Sequence, residues 1–171
     1  MGPSAGTCVY TVKSGQNSRN KGVEPVLTAK EIPNWMVKKF EENSFMKLAD
    51  VKLEKVECGY CELSMDADPE HKHGNRYGVI HGGALFTLAD TAMGAVGYSI
   101  GCKVVTLSSS INFISNSSAK EKVWARASLI HAGRSTLVTR VMIYDHTGKE
   151  MADVTGTMFV IGHFDEIPKK W

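Results

Sequence analysis

The sequence lacks a dominant charge. Its 171 residues carry 20 basic and 18 acidic side chains, for a formal net charge of +2. That balance excludes strong non-specific attraction to nucleic acid or to an anionic membrane, and no basic run offers a stripe that could track phosphates. An uninterrupted apolar run is also missing. The longest mainly apolar stretch, Val79 to Ile100, is broken by Asp90 and several glycines, so it reads as a buried helix rather than a membrane span. No apolar signal core precedes the folded part. "MGPSAGTCVYTVKSGQNSRNKG" is polar and rich in Gly and Ser, and residues 1–25 are expected to form a flexible extension. Without a secretion signal, Cys8, Cys58, Cys61 and Cys102 are expected to be free thiols in a reducing cytoplasm. There is no internal repeat and no sign of a second domain, and residues 26–171 suffice for one domain with a single core.

The folded part is expected to open with a short amphipathic helix. In "TAKEIPNWMVKKFEEN", Thr28 and Glu31 have capping-box spacing, Pro33 suits a first turn, and Ile32, Trp35, Met36 and Phe40 recur at helical intervals. In "VKLEKVECGYCELSM", alternating Val51, Leu53 and Val56 predict a strand pair around Gly59. After the polar loop "DADPEHKHGNRYG", a long Gly/Ala-rich helix is expected from about Gly82 to Tyr98. Period-two patterns follow. In "VVTLSSSINFI", Val105, Leu107, Ile111 and Phe113 are expected on one face and Thr106, Ser108, Ser110 and Asn112 on the other. Three further strands, "KVWARASLIHA", "STLVTRVMIYD" and "KEMADVTGTMFVIG", are joined by hairpin-length "GRS" and "HTG". A helix too apolar for the surface needs a curved antiparallel sheet to wrap it, so the fold class is α+β.

The long helix contains one anomaly. Asp is a poor helix former, and a buried carboxylate is costly without a partner. At 100° per residue, Gly83, Thr87, Asp90, Thr91 and Gly94 fall along one side, while Leu85, Leu88, Ala89, Ala92 and Val96 fill most of the rest. Taken alone, such a stripe is also what a solvated face looks like. The residues before the helix favour a site. "IHGGAL" puts two glycines at the helix start, where unsatisfied N–H groups and the positive end of the dipole favour an anion, and where the absence of Cβ lets a ligand come close. A tight turn needs one glycine, and neither His81 nor Asn75.

Distance then predicts a dimer. Gly82 and Asp90 are separated by about 12 Å along the axis, at a rise of about 1.5 Å per residue. An attacking group and an oxyanion donor must both lie within about 3 Å of one carbonyl group. One helix cannot meet both requirements, whereas two antiparallel copies can, with the small residues Gly94, Ala95 and Gly97 allowing the approach.

Other motifs carry less. "CGYC", Cys58 to Cys61, has redox or zinc spacing, but it sits in a strand–turn–strand pattern without a helix N-terminus, and Cys102 does not complete a second pair. His71, His73 and His81 around "EHKHGN" read as loop histidines rather than metal ligands. Trp35, Trp124 and Trp171 form no stacking array for nucleic acid.

"NRYGVIHGGALFTLADTAMG" resembles the hotdog-fold acyl-CoA thioesterases, specifically the PaaI-like (phenylacetate-pathway) branch, through the spacing N-x2-G-x2-H-G-G-x6-D. The similarity runs from about Phe45 to Ile161, with a family-like "DHTGKEMADVTGTMFV", and leaves out the first 25 residues and the tail "HFDEIPKKW". The resemblance implies a hotdog fold, homodimers whose sheets join and a homotetramer as the assembly. It also implies acyl-CoA hydrolysis at the dimer interface, without metal or cofactor, CoA being part of the substrate. Carried onto these positions, Asp90 is nucleophile or general base, the Gly82 N–H polarises the carbonyl, Asn75 orients water or thioester, and His81 supports the turn. Gly83, at the same helix start, and Arg134, contacting CoA phosphates, are the CoA-binding positions, and Thr106 (alternatively Ser108) supplies an assisting hydroxyl. The expected substrate carries an aromatic or medium aliphatic acyl group, and whether Phe86, Tyr98 and Phe113 line its pocket stays open. A hotdog domain that binds acyl-CoA without cleaving it is the rival reading. The carboxylate argues against that rival, because a pure binder has no use for one beside a thioester. A hotdog dehydratase would use a His/Asp pair in a motif not found here.

Overall fold

The computed structural model of the chain describes residues 25–168 together with 170 and 171; Cys8 and the extension expected over residues 1–25, save its last residue, lie outside them. Helix α1 is Ile32–Glu41, with Pro33 in its first turn, where a missing N–H costs nothing. Only half of the expected capping box forms. The Glu31 carboxylate accepts from the Thr28 N–H and hydroxyl (2.8 and 2.7 Å), but no side chain caps the helix N–H groups. Ile32, Met36 and Phe40 are buried, and Trp35 meets Phe164 edge-on. A second helix, α2 (Ser44–Leu48), is capped by Asn43, whose Oδ1 accepts from the N–H groups of Phe45 and Met46. Sequence periodicity gives no sign of so short an element.

Strands β1 (Val51–Glu57) and β2 (Tyr60–Ala67) form a hairpin around Gly59, whose φ of 78° suits glycine. Then come α3 (Gly82–Ser99), β3 (Cys102–Phe113), β4 (Glu121–Ala132), β5 (Thr136–Tyr144) and β6 (Glu150–His163). The six strands make one antiparallel sheet in the order β1-β2-β4-β5-β6-β3, and α3 packs against every strand. This is the α+β hotdog arrangement. Leu85, Leu88, Met93 and Val96 of α3 are completely buried, each stabilising the fold by roughly 1.5–3 kcal/mol.

One expected alternation is wrong. Thr106 pairs with Met158 and Ser108 with Thr157, so Leu107 is the extra residue of a β-bulge. A bulge moves every following side chain to the other face. Val104 and Thr106 point toward α3 before it, and Ser109, Ile111 and Phe113, opposite Gly156, Val154 and Ala152, point toward α3 after it. Thr106 therefore shares the helix-side face with Ile111 and Phe113, not with Ser108 and Ser110. Val105 and Leu107 lie exposed on the outside.

The tail after β6 belongs to the fold. Ile167 is buried, Phe164 packs on Tyr98, and Trp171 Nε1 donates to the Ser99 carbonyl (2.7 Å) at the end of α3. That bond satisfies one of the carbonyls a helix C-terminus leaves open. Among the described residues, no helix is long and apolar enough to cross a membrane.

Candidate active site

A braced loop delivers the chain to α3. The Asp68 carboxylate accepts from the N–H groups of Glu70 and His71 and from Lys120 Nζ at 2.7 Å, and the Lys120 bond above all holds its carboxyl well below the usual carboxylate range. His73 is buried. Its Nδ1 accepts from the Asp68 N–H (3.0 Å), its carbonyl accepts from the His81 N–H (2.7 Å), and its Nε2 has no partner among the described residues. Asn75 Oδ1 accepts from the N–H groups of Tyr77 and Val79 (2.8 and 3.3 Å), closing the turn that precedes the helix. Ile80 is tied on both sides of its peptide, its N–H to the Ser117 carbonyl and its carbonyl to Asn116 Nδ2.

His81 is the N-cap of α3. Its backbone is extended (φ −67°, ψ 135°) and its Nδ1 accepts from the Gly83 N–H at 2.8 Å. The Gly83 N–H is thus engaged by the cap. Gly82 is the first helical residue, and its N–H has no possible acceptor within the helix. The two glycines have separate causes. A Cβ at Gly82 would lie 2.8 Å from Phe113 Cζ, and one at Gly83 would lie 3.0 Å from His81 Nδ1.

Two turns further on, the half-buried Asp90 accepts from Thr106 Oγ1 through Oδ1 at 2.6 Å. The β3 bulge begins immediately after Thr106, so the hydroxyl keeps this orientation although the rest of the strand changes face. Ser108, on the outer face opposite Thr157, cannot take that place. Gly83 is exposed and Thr87, Asp90, Thr91 and Gly94 are half-buried, which makes a partly open stripe on an otherwise buried helix. A Cβ at Gly94 would meet nothing within 4 Å. Beside the first two turns lies a cleft of about 430 Å³, with Phe45, Leu48, Met65, His73, Gly83 and Thr87 among its lining.

One chain therefore brings together Asp90 with Thr106, and separately Asn75, His81, Gly82 and Gly83. It does not bring the two groups together, since they stand about 12 Å apart along the helix. Arg134 is exposed in the β4–β5 turn. Sequence reasoning missed Phe113 as the neighbour of Gly82, because simple alternation put it on the face opposite Thr106. It also missed Asp68 and His73 as the braces of the loop. The motif "D-x4-H" ahead of the helix was the available signal, but nothing in it announces a bond from backbone to ring.

Cys61 is buried and its thiol pushed up to about 12 by that burial, against the opposing hydrogen bond with Ser99, while Cys58 is exposed in the turn. That is the reverse of an activated redox thiol. Among the described residues, no three His, Cys, Asp or Glu side chains converge as metal ligands.

Comparison with known proteins matches residues 77–152 to the family described as "Thioesterase superfamily". The acyl-coenzyme A thioesterase PaaI of Escherichia coli is 27% identical over 72% of this chain and 86% of its own sequence. Its solved structure superposes with a TM-score of 0.73 at 25% identity, covering 82% and 99% of the two chains. A hypothetical thioesterase protein of Streptococcus pneumoniae, solved with coenzyme A, is 32% identical over 75% of this chain and 98% of its own (TM-score 0.68). Variants of it with Thr→Ala and Asp→Ala substitutions sixteen positions apart have also been solved (TM-scores 0.62 and 0.63, both 34% identical, covering 66% of this chain and 91% and 92% of theirs). A Streptococcus mutans protein bound to acetyl-CoA is 33% identical over 67% of this chain and 90% of its own (TM-score 0.63). The chain belongs to the thioesterase superfamily and is an enzyme of its PaaI-like hotdog branch.

Proposed function

We propose that this chain hydrolyses an acyl-CoA thioester to the free acid and CoA. It acts as a homodimer in which each site takes Asp90 and Thr106 from one protomer and Asn75, His81 and Gly82 from the other. The observation that carries this reading is the 2.6 Å bond from Thr106 Oγ1 to Asp90 Oδ1. It fixes a carboxylate on the one open side of a buried helix and leaves the second oxygen to act on a substrate. Asp90 and Thr106 are also sixteen positions apart, the spacing of the substituted pair in the S. pneumoniae protein.

The dimer is supported by the sheet edge. Among the described residues β3 has a neighbour only on the β6 side, so the other side of this twelve-residue strand presents an open row of backbone donors and acceptors. Two such edges meeting around a two-fold axis would join the sheets and lay two α3 helices antiparallel, stripe to stripe, with no Cβ at Gly94 to hold them apart. Val105, Leu107, Phe159 and Ile161 form an exposed apolar patch on the outer face, the surface on which two dimers would make a tetramer.

In this site the thioester carbonyl accepts from the Gly82 N–H, which is aimed along the positive end of α3. Asn75 Oδ1 is held by the loop, so its amide N–H2 group is the end that can orient water or thioester. The Asp90 carboxylate either attacks the carbonyl carbon, giving an anhydride that water then opens, or takes a proton from the attacking water. In both routes the C–S bond breaks and CoA departs as the thiol after taking up a proton. Arg134 would meet CoA phosphates from its exposed turn. The substrate is an aromatic or medium-chain acyl-CoA, and no cofactor is required. Thiol release from a panel of acyl-CoAs, by wild type and Asp90→Asn side by side, tests the reading. Hydrolysis that falls at least about a hundredfold in a folded Asp90→Asn is expected. Tight acyl-CoA binding with no release by either protein would make the chain a binding module instead.

A further inference from the structure

Helix α2 carries two large apolar side chains that nothing among the described residues covers. Phe45 and Leu48 are 56% and 64% exposed, three residues apart and so on neighbouring positions of one helix side. They are not loosely placed, because the Asn43 cap fixes the start of α2 and Met46 between them is buried. Both line the 430 Å³ cleft, whose size is that of a small-molecule site. Met65 and Ala84 continue its apolar wall, and its inner end is Gly83 and Thr87, on the same helix stripe as Asp90. The facing wall is the loop at Lys72–Gly74. Among the described residues of the lining, Lys72 is the one permanently charged side chain, and its Nζ is paired with Asp50 Oδ2 at 2.7 Å, just past the end of α2. The ion pair bridges the two walls, and among the described residues of the lining no unpaired permanent charge is left to receive a charged ligand end.

We infer that this cleft receives the acyl group of the substrate, and that Phe45 and Leu48 set the bulk and polarity it accepts, favouring uncharged apolar chains or rings over short acyl groups and over those ending in a carboxylate. The inference rests on the hydrolytic reading above, which places the carbonyl at Gly82 beside the inner end of the cleft. From that carbonyl the acyl group runs outward under α2. Apolar contact with both side chains then replaces their exposure to water, at about fourfold in affinity for each methylene buried.

The test compares kcat/KM for acetyl-, butyryl-, hexanoyl-, phenylacetyl- and succinyl-CoA in wild type, Leu48→Ala, Phe45→Ala and Leu48→Trp. Both positions are exposed, so the variants are expected to fold. Wild type should favour hexanoyl- or phenylacetyl- over acetyl- and succinyl-CoA. Leu48→Ala and Phe45→Ala should each lower hexanoyl turnover by several-fold while acetyl stays within about twofold. Leu48→Trp, which fills the mouth, should cost the longer and aromatic substrates about tenfold or more relative to acetyl. Unchanged ratios in all three variants, an equal loss on every substrate, or a wild type that prefers succinyl-CoA would overturn the role of the cleft while leaving hydrolysis standing. No thiol release by wild type from any substrate would overturn the hydrolytic reading itself.

Discussion

At the scale of single residues, the site rests on a few bonds that can be removed one at a time. Thr106→Ala deletes the hydroxyl that orients Asp90. A hydrogen bond to a charged group contributes about 1.5–3 kcal/mol, so kcat should fall roughly 10- to 100-fold. Thr106→Ser keeps the hydroxyl and should retain most of the activity, which separates orientation from mere packing. Gly82→Ala tests the other half. Its methyl group would enter the space held by Phe113 Cζ, 2.8 Å away, yet Phe113 is half-exposed and can give way. Thermal stability should therefore change by a few degrees at most, while turnover falls more than tenfold because the carbonyl can no longer sit against the N–H. Turnover close to wild type would take Gly82 out of the site. Asp90 is legible in the sequence because a carboxylate inside an apolar helical run contradicts its surroundings. The use of the Gly83 N–H by His81 is not, since only backbone geometry says which of two adjacent N–H groups the ring takes.

At the scale of elements, the period of the sequence carried the fold a long way. The helix expected from Gly82 to about Tyr98 ends at Ser99, and the four later strands lie where alternating residues place them. Periodicity failed where one residue was added. A bulge at Leu107 leaves the composition of β3 unchanged but inverts the face of everything beyond it, so Phe113 arrives at Gly82 instead of turning away. α2 was invisible because five residues hold little more than one turn. Two predictions belong here. A Cβ at Gly156 would lie 2.2 Å from Met93 Sδ inside the completely buried core, so Gly156→Ala should destabilise the fold by about 1–3 kcal/mol in denaturant unfolding. The second concerns the turn between β5 and β6. The His146 ring is held by the Glu121 carboxylate, and that bond raises the His146 pKa against a smaller opposing effect of burial. A raised folded pKa gives stability that is complete below the unfolded value of about 6.5 and is lost as pH rises through the folded value. The difference in melting temperature between wild type and His146→Gln should therefore shrink as pH is raised from about 6 into the alkaline range. A constant difference would mean the pair contributes nothing through its charge.

At the scale of the whole molecule, the proposed site needs two chains. Asp90, bonded to Thr106 of β3, and Gly82, beside the Asn75 loop, are held on one rigid helix, and a rigid helix cannot bend them together. The open β3 edge and the small-residue stripe of α3 lie on the side where a second copy would complete both sites. Two-fold symmetry makes a strong prediction about mixtures. A dimer of one Asp90→Asn chain and one Gly82→Ala chain has one site carrying both defects and one carrying none. The decisive measurement is the activity of these two inactive variants after unfolding together at equal concentrations and refolding. Random pairing makes half of the dimers mixed, each with one intact site of its two, so about a quarter of wild-type specific activity should return. Activity no higher than the mean of the two separate variants, with mixed dimers shown to have formed, would mean that each site is built from a single chain.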